Sequence, residues 1–251
     1  IAVFDAFYRR NPDGGGYAVF AGLNDIISYI KNLHFTDEDI EYFRSQGHFT
    51  EGFLEYLRNF KFTGDVYAFP EGSVMFPGEP IITVKAPIIE CSIIETYLLL
   101  SMNFNSLIAT KTNRIVSSAG DRLVMEFGAR RAQGADASIT GARAAYIGGA
   151  PITSNTYSAK KYGFKASGTM AHSWVQAFDS EYEAFKTYAK MYPDNCILLI
   201  DTYDTLESGL VNAMKVFEEE LVPKGLTGGV RIDSGDLAYL SKEVRKRLDE
   251  N

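Results

Sequence analysis

From residue 123 onward one unit recurs five times: a short apolar run ending in polar or charged residues, then a stretch with helical spacing. The runs are LVMEFGARR (123–131), APITSN (150–155), KASGTMAHS (165–173), CILLIDTYD (196–204) and GGVRIDSGD (228–236). Helix formers fill the intervals, as in DSEYEAFKTYAKMY (179–192) and ESGLVNAMKVFEEEL (207–221). Strands alternating with helices predict parallel pairing, because a parallel pair needs a crossover long enough to hold a helix. Five such units fit an incomplete β/α barrel, since a closed one has eight. The remaining strands are expected beyond Asn251.

The upstream half has a different character. IAVFDAFY alternates like a strand, NPDGGG (11–16) reads as a turn, and Leu23, Ile26, Ile27 and Ile30 fall on one helix face. Thr36 before Asp37, Glu38 and Asp39 is the pattern of a helix N-cap with an acidic first turn, and Thr50 before Glu51 repeats it. Residues 63–87 hold four of the eight prolines among β-branched and aromatic residues, which predicts short antiparallel strands in a small β-sandwich-like module. Residues 88–116 are mostly apolar and predict a long buried helix or helix pair. The expected division is an N-terminal α+β domain at 1–110 and the first part of a β/α catalytic domain at 111–251.

Composition bounds the function. Thirty-two acidic against 25 basic residues give a net charge of −7, which argues against a dedicated nucleic-acid binder. Cys91 and Cys196 are too few for a disulfide framework, so a reducing, cytoplasmic setting is expected. No apolar run approaches the ~18 residues of a membrane span. The opening residues lack the basic and then apolar pattern of a secretory leader. The chain starts at Ile1 within a strand pattern and ends in the helical VRKRLDEN (244–251), so both ends read as cut.

In each of the five runs the chemistry stands at the C-terminal end, where β/α barrels build their active sites. The candidates are Arg130 and Arg131; Thr153, Ser154 and Asn155; Thr169 and His172; Asp201 and Asp204; and Arg231, Asp233 and Asp236. Guanidinium forks, hydroxyls, carboxylates and an imidazole on one rim suit an anionic substrate, because Arg grips carboxylate or phosphate bidentately. Polar residues also cap strands merely to meet water, so the weight rests on all five runs together. His172 follows the small-residue run SGTMA; beside a carboxylate such as Asp201 its ring is held in one tautomer and serves as base or nucleophile. The plainer alternative is a structural histidine bonded to backbone. His34 and His48 sit among polar residues of the N-terminal helices and read as bystanders. GGG at 14–16 matches no phosphate-binding spacing and reads as a turn. Zinc-ligand spacing is absent, whereas the acidic strand ends suit Mg²⁺ held together with phosphates.

The blocks EFGARRAQG (126–134), GARAAYIGGA (141–150), TSN (153–155), SGTMAHSWV (167–175), DTYDTL (201–206) and VRIDSGDL (230–237) occur in that order. With RRNPDGGGYAVFAGL (9–23) and PEGSVMFPGEP (70–80), they make the chain resemble the nicotinate phosphoribosyltransferase family over nearly its whole length. That resemblance implies the irregular α/β barrel of the type II phosphoribosyltransferases with an N-terminal β-rich domain. It implies transfer of a phosphoribosyl group from 5-phosphoribosyl 1-diphosphate to nicotinate, giving nicotinate mononucleotide and diphosphate, coupled to ATP hydrolysis in NAD biosynthesis. It also implies a homodimer with a shared active site.

By motif match, His172 is the histidine phosphorylated by ATP, and Asp201 is the acid beside it. Phe127 and Arg130 line the pyridine pocket, Thr169 and Arg231 contact nicotinate, and Asp233 faces the ribose. The Thr153–Ser154–Asn155 stretch stands where nicotinamide-using relatives carry an Asp, so its hydroxyls favour the acid over the amide, and Ser154 and Asn155 are assigned to nicotinate binding. Arg9 is assigned to phosphate in the neighbouring subunit's site. Two features of the family's pattern do not match: the N-terminal aromatic residue of the pyridine pocket and the Gly-rich phosphate loops of later strands. Three alternatives stay open: a nicotinamide enzyme, a quinolinate enzyme, and a non-catalytic fragment of the same barrel.

Overall fold

The computed structural model describes residues 1–250. The elements follow in the order β1 (Ala2–Ala6), β2 (Ala18–Val19), α1 (Leu23–Asn32), α2 (Asp37–Gln46), α3 (Glu51–Arg58), β3 (Asp65–Ala68), β4 (Val74–Met75) and β5 (Ile82–Ala86). Next come α4 (Ile88–Ala119), β6 (Met125–Glu126), α5 (Ala135–Ile147), β7 (Ile152–Thr153), α6 (Thr156–Tyr162) and β8 (Lys165–Ala166). The last are α7 (His172–Gln176), α8 (Glu181–Met191), β9 (Ile197–Leu199), α9 (Leu210–Val216), β10 (Gly229–Arg231) and α10 (Leu237–Asp249). They pack as two compact units, Ile1–Ser167 and the chain from Gly168 onward.

In the first unit, β5 runs antiparallel between β1 and β3, and β2 pairs antiparallel with β4. The segment 63–87 thus does form short antiparallel strands, but each sheet borrows a strand from the first 20 residues. The inward residues Ile82, Val84 and Ala86 of β5 alternate with exposed or half-buried ones, as a sheet with one covered face requires. They pack with Phe20, Ile26, Met75 and the Cys91, Ile94 and Leu98 stripe of α4. Each large side chain buried there contributes about 1.5–3 kcal/mol.

The 32-residue α4 is one continuous helix, and its buried face is partly polar. Thr110 Oγ1 accepts the Val19 amide at 2.8 Å, and Ser106 Oγ accepts the Ala21 amide at 3.1 Å. Those hydroxyls satisfy backbone donors that a two-residue strand leaves unpaired. Thr36 forms a reciprocal capping box with Asp39, and Thr50 caps α3 through the Phe53 amide.

All five runs of the repeating pattern are strands, and their pairings are parallel. β7 lies between β6 and β8, and β9 pairs with β10. The strands are only two or three residues long, because the polar second half of each run leaves the ladder to enter a loop or helix. The architecture is mixed α/β, an N-terminal domain followed by part of a catalytic domain. The expected barrel does not close among the described residues. In the second unit, α8 and α9 cover β9, burying Phe185, Leu198, Leu199, Ile200, Leu210 and Val216 completely. Among the described residues, no helix is long and apolar enough to cross a membrane. Both thiols are buried and free, and burial pushes that of Cys196 up to about 11, so it stays protonated.

Candidate active site

The second unit gathers its predicted site residues by a simple device. β9 and β10 lie side by side and parallel, so Asp201 and Asp233 both follow the C-terminal ends of neighbouring strands. The Ile200 amide still donates to the Arg231 carbonyl at 3.1 Å, extending the pairing up to Asp201. His172 is placed differently from the expectation. It is the first residue of α7, six positions beyond the end of β8, and Ala171 before it is extended. Small residues make 167–171 a loop that hands the imidazole to the strand tips.

Asp201 is the hub. Its side chain is only 2% exposed, and its Oδ1 lies 3.1 Å from His172 Nε2. Its Oδ2 accepts from Ser234 Oγ at 2.6 Å and from the Asp233 amide at 3.0 Å. Burial by itself pushes this carboxyl up, but the hydrogen bonds from Ser234, His172 and the Asp233 amide together outweigh it and hold Asp201 below the usual carboxylate range. An ionised carboxylate only accepts, so Nε2 must carry the proton and donate it. Nδ1 is then the ring nitrogen with a lone pair, on a side chain that is 40% exposed.

The same contacts continue to Arg231. Its Nη2 donates to Asp233 Oδ1 at 2.9 Å and its Nη1 to Thr169 Oγ1 at 2.6 Å. Thr169 and His172 are three residues apart, so a closed circuit runs through Thr169, Arg231, Asp233, Asp201 and His172. Its five members come from three separate segments of the chain, and both oxygens of the hub carboxylate have a partner. Ser234 was not singled out by the sequence reading. Its only signal there was its place in the VRIDSGDL block.

Asp204 and Asp236, also candidates, are helix N-caps. Asp204 accepts the Leu206 and Glu207 amides, and Asp236 accepts the Tyr239 amide at 3.0 Å. Their carboxylates are engaged in ending loops.

The other predicted residues lie in the first unit. Phe127 and Arg130 follow β6 on an exposed turn. Arg131 closes that turn and is exposed as well. Behind that turn Glu126 accepts from the Gly128 amide and, at 2.5 Å, from Thr153 Oγ1. A carboxylate thus backs Thr153 from the neighbouring strand, a proximity that reading 153–155 alone does not reveal. Ser154 is half-buried, with its amide on the Glu126 carbonyl at 2.9 Å. Asn155 caps α6, accepting the Ser158 amide at 3.0 Å while its Nδ2 donates to the Ser138 carbonyl at 3.3 Å. Arg9 is exposed beyond β1.

A second charged cluster in this unit was not foreseen. Arg143 grips Glu71 through two hydrogen bonds of 2.8 and 2.6 Å, and Glu71 also accepts the Gly22 amide at 2.7 Å. Nearby Asp25 keeps its Oδ2 buried without a hydrogen-bond partner, and burial raises its pKa.

Comparison with known proteins agrees over both halves. The sequence pattern of the nicotinate phosphoribosyltransferase N-terminal domain matches residues 1–103, and that of the nicotinate phosphoribosyltransferase family matches residues 123–248. A nicotinate phosphoribosyltransferase of Bacillus subtilis is 50% identical over 99% of this chain and 50% of its own length. One of Mycobacterium tuberculosis is 46% identical over 99% of this chain and 53% of its own. The crystal structure of the human nicotinic acid phosphoribosyltransferase superposes with a TM-score of 0.86 at 30% identity, covering 99% of this chain and 60% of that one. A nicotinate-nucleotide pyrophosphorylase of Pyrococcus furiosus gives 0.78 at 25% identity, covering 98% and 56%. The chain spans about half the length of the curated relatives it matches. With both of its halves matched, this chain belongs to the nicotinate phosphoribosyltransferase family.

Proposed function

We propose that the protein joins nicotinate to 5-phosphoribosyl 1-diphosphate, releasing diphosphate, and couples this to ATP through a phosphohistidine at His172. The observation that carries the reading is the buried, ionised Asp201 holding His172 Nε2 at 3.1 Å. That bond fixes the tautomer and leaves the Nδ1 lone pair to attack the γ-phosphorus of ATP. As the Nδ1–P bond forms, the bond to the β,γ-bridging oxygen breaks and ADP leaves with its electron pair. The ring becomes cationic with its proton still on Nε2, where the Asp201 carboxylate stabilises it. No proton has to leave.

For the transfer itself, positioning and charge carry most of the work. Arg231 and Thr169 fix the nicotinate carboxylate, and the family resemblance assigns Phe127, Arg130, Ser154 and Asn155 to nicotinate binding. Asp233 faces the ribose, whose ring carbon gains positive charge as diphosphate departs, and Arg9 serves phosphate across a homodimer. ATP is a co-substrate. Mg²⁺ arrives with the phosphates, since this ion is commonly held by one or two carboxylates together with the substrate's phosphate oxygens. The structural frame for this is the type II barrel, with its N-terminal domain at 1–110, its catalytic part at 111–251 and a cytoplasmic setting.

The test is transfer of label from γ-labelled ATP to the protein, with nicotinate and nicotinamide compared as acceptors. The parent protein takes about one label per chain and prefers nicotinate. His172→Ala takes none, loses ATP stimulation and retains slow ATP-independent transfer. A variant labelled like its parent removes His172 from this role, and preference for nicotinamide overturns the substrate.

A further inference from the structure

We propose that Ser234 is the positioning residue for phosphorylation of His172, acting through Asp201. The inference rests on the phosphohistidine reading and adds to it a residue whose hydroxyl bonds the Asp201 carboxylate rather than the ring. A carboxylate with one bonded oxygen can swing about its last torsion; one held on both oxygens cannot. Asp201 Oδ2 is pinned by Ser234 Oγ at 2.6 Å and by the Asp233 amide at 3.0 Å, which turns Oδ1 toward His172 Nε2. The amide belongs to the backbone, so Ser234 is the side chain through which this clamp can be varied.

Local geometry supports a dedicated placement. Gly235, at φ +78°, turns the chain directly after Ser234, and a Cβ there would stand 2.9 Å from Leu240 Cδ1. The residue itself is exposed, yet its hydroxyl reaches a carboxylate that is almost wholly buried. A serine kept only for solubility would face water. The Ser234 hydrogen bond is among those, with His172 and the Asp233 amide, that hold Asp201 below the usual carboxylate range.

The experiment compares Ser234→Ala and Ser234→Thr with the parent, in the full-length protein. Two readouts are used: the rate of labelling by γ-labelled ATP, and the ¹⁵N signals of the His172 ring, identified by their loss in His172→Ala. Loss of a hydrogen bond to a charged group predicts labelling slowed roughly tenfold or more in the alanine variant. Its ring signals shift from the Nε2–H tautomer toward a mixture of both. The threonine variant, which keeps the hydroxyl, recovers most of the rate and the parental signals. Parental rate and ring signals in Ser234→Ala overturn the proposal. Failure of the phosphohistidine reading looks different: the parent takes no label, and the ring signals alone decide, a shifted tautomer supporting the clamp and an unshifted one overturning it.

Discussion

Arg231 does two jobs with one side chain. Its two terminal nitrogens span from Thr169 Oγ1 at 2.6 Å to Asp233 Oδ1 at 2.9 Å, a reach that depends on a planar fork. A lysine ammonium is a single point and cannot serve both loops in that geometry. Truncation in Arg231→Ala leaves the Asp233 carboxylate without this cation and, on the proposed function, the nicotinate carboxylate as well. The expected loss in nicotinate binding is about 2 kcal/mol, roughly thirtyfold. The phosphoribosyl diphosphate affinity changes much less. Calorimetric titration of both ligands checks this, and equal losses would remove Arg231 from the pyridine site. The residues of this circuit were readable as candidates because each ends an apolar run. Ser234 was not, since a serine in an Asp-Ser-Gly loop is also an ordinary turn residue.

At the scale of elements, the placement of Asp201 depends on a close approach between β9 and the helix that follows it. Gly209 is buried at the start of α9, and a Cβ there would stand 1.9 Å from the Ile200 carbonyl oxygen. Backbone on both sides leaves nothing flexible to yield. Gly209→Ala must therefore push the helix off the strand end, at a cost of about 3 kcal/mol or more. Proteolysis should then cut beyond residue 168 while 1–167 stays resistant, and ATP labelling should fall with it. A variant as resistant as its parent would show that the helix can shift freely.

Periodicity reached these elements unevenly. The helical character of 88–116, the Thr36 and Thr50 caps and the five parallel strands follow from local spacing, whereas the choice of one continuous α4 over a helix pair does not. The pairing of β1 with β5, about 80 residues apart, does not, because nothing near Phe4 names Val84 as its partner. Ser106 and Thr110 on the buried face of α4 likewise look out of place until the unpaired amides of Val19 and Ala21 are known. The position of His172 at a helix start rather than a strand tip belongs to the same class. Long-range partners decide it.

For the whole molecule, three partly buried carboxyls pull the pH dependence of stability in opposite directions. Glu71 is pushed up by burial, but Arg143 and the Gly22 and Asn24 amides outweigh this and lower it, as the hydrogen bonds to Asp201 lower that group. Each then binds fewer protons folded than unfolded, so its stabilisation is complete above the ordinary value near ~4 and is lost as pH falls through the depressed folded one. Asp25 has the reverse sign. Burial raises it most, against the attraction of Arg143 and Lys161, so its contribution is present at low pH and lost as pH rises through the raised value. The unit from Gly168 onward, which contains Asp201, should lose stability steadily on acidification. The unit Ile1–Ser167, which contains both Glu71 and Asp25, should lose less. Asp25→Asn removes the charge from a carboxyl whose Oδ2 is buried without a hydrogen-bond partner and should stabilise that unit by about 1 kcal/mol at pH 7. The gain should shrink toward pH 4, as protonation of the raised carboxyl removes the parent's charge. Amide hydrogen exchange of residues 1–167 at the two pH values measures the difference. An equal gain at both, or a loss at pH 7, would mean that attraction to Arg143 and Lys161 outweighs the burial of Asp25.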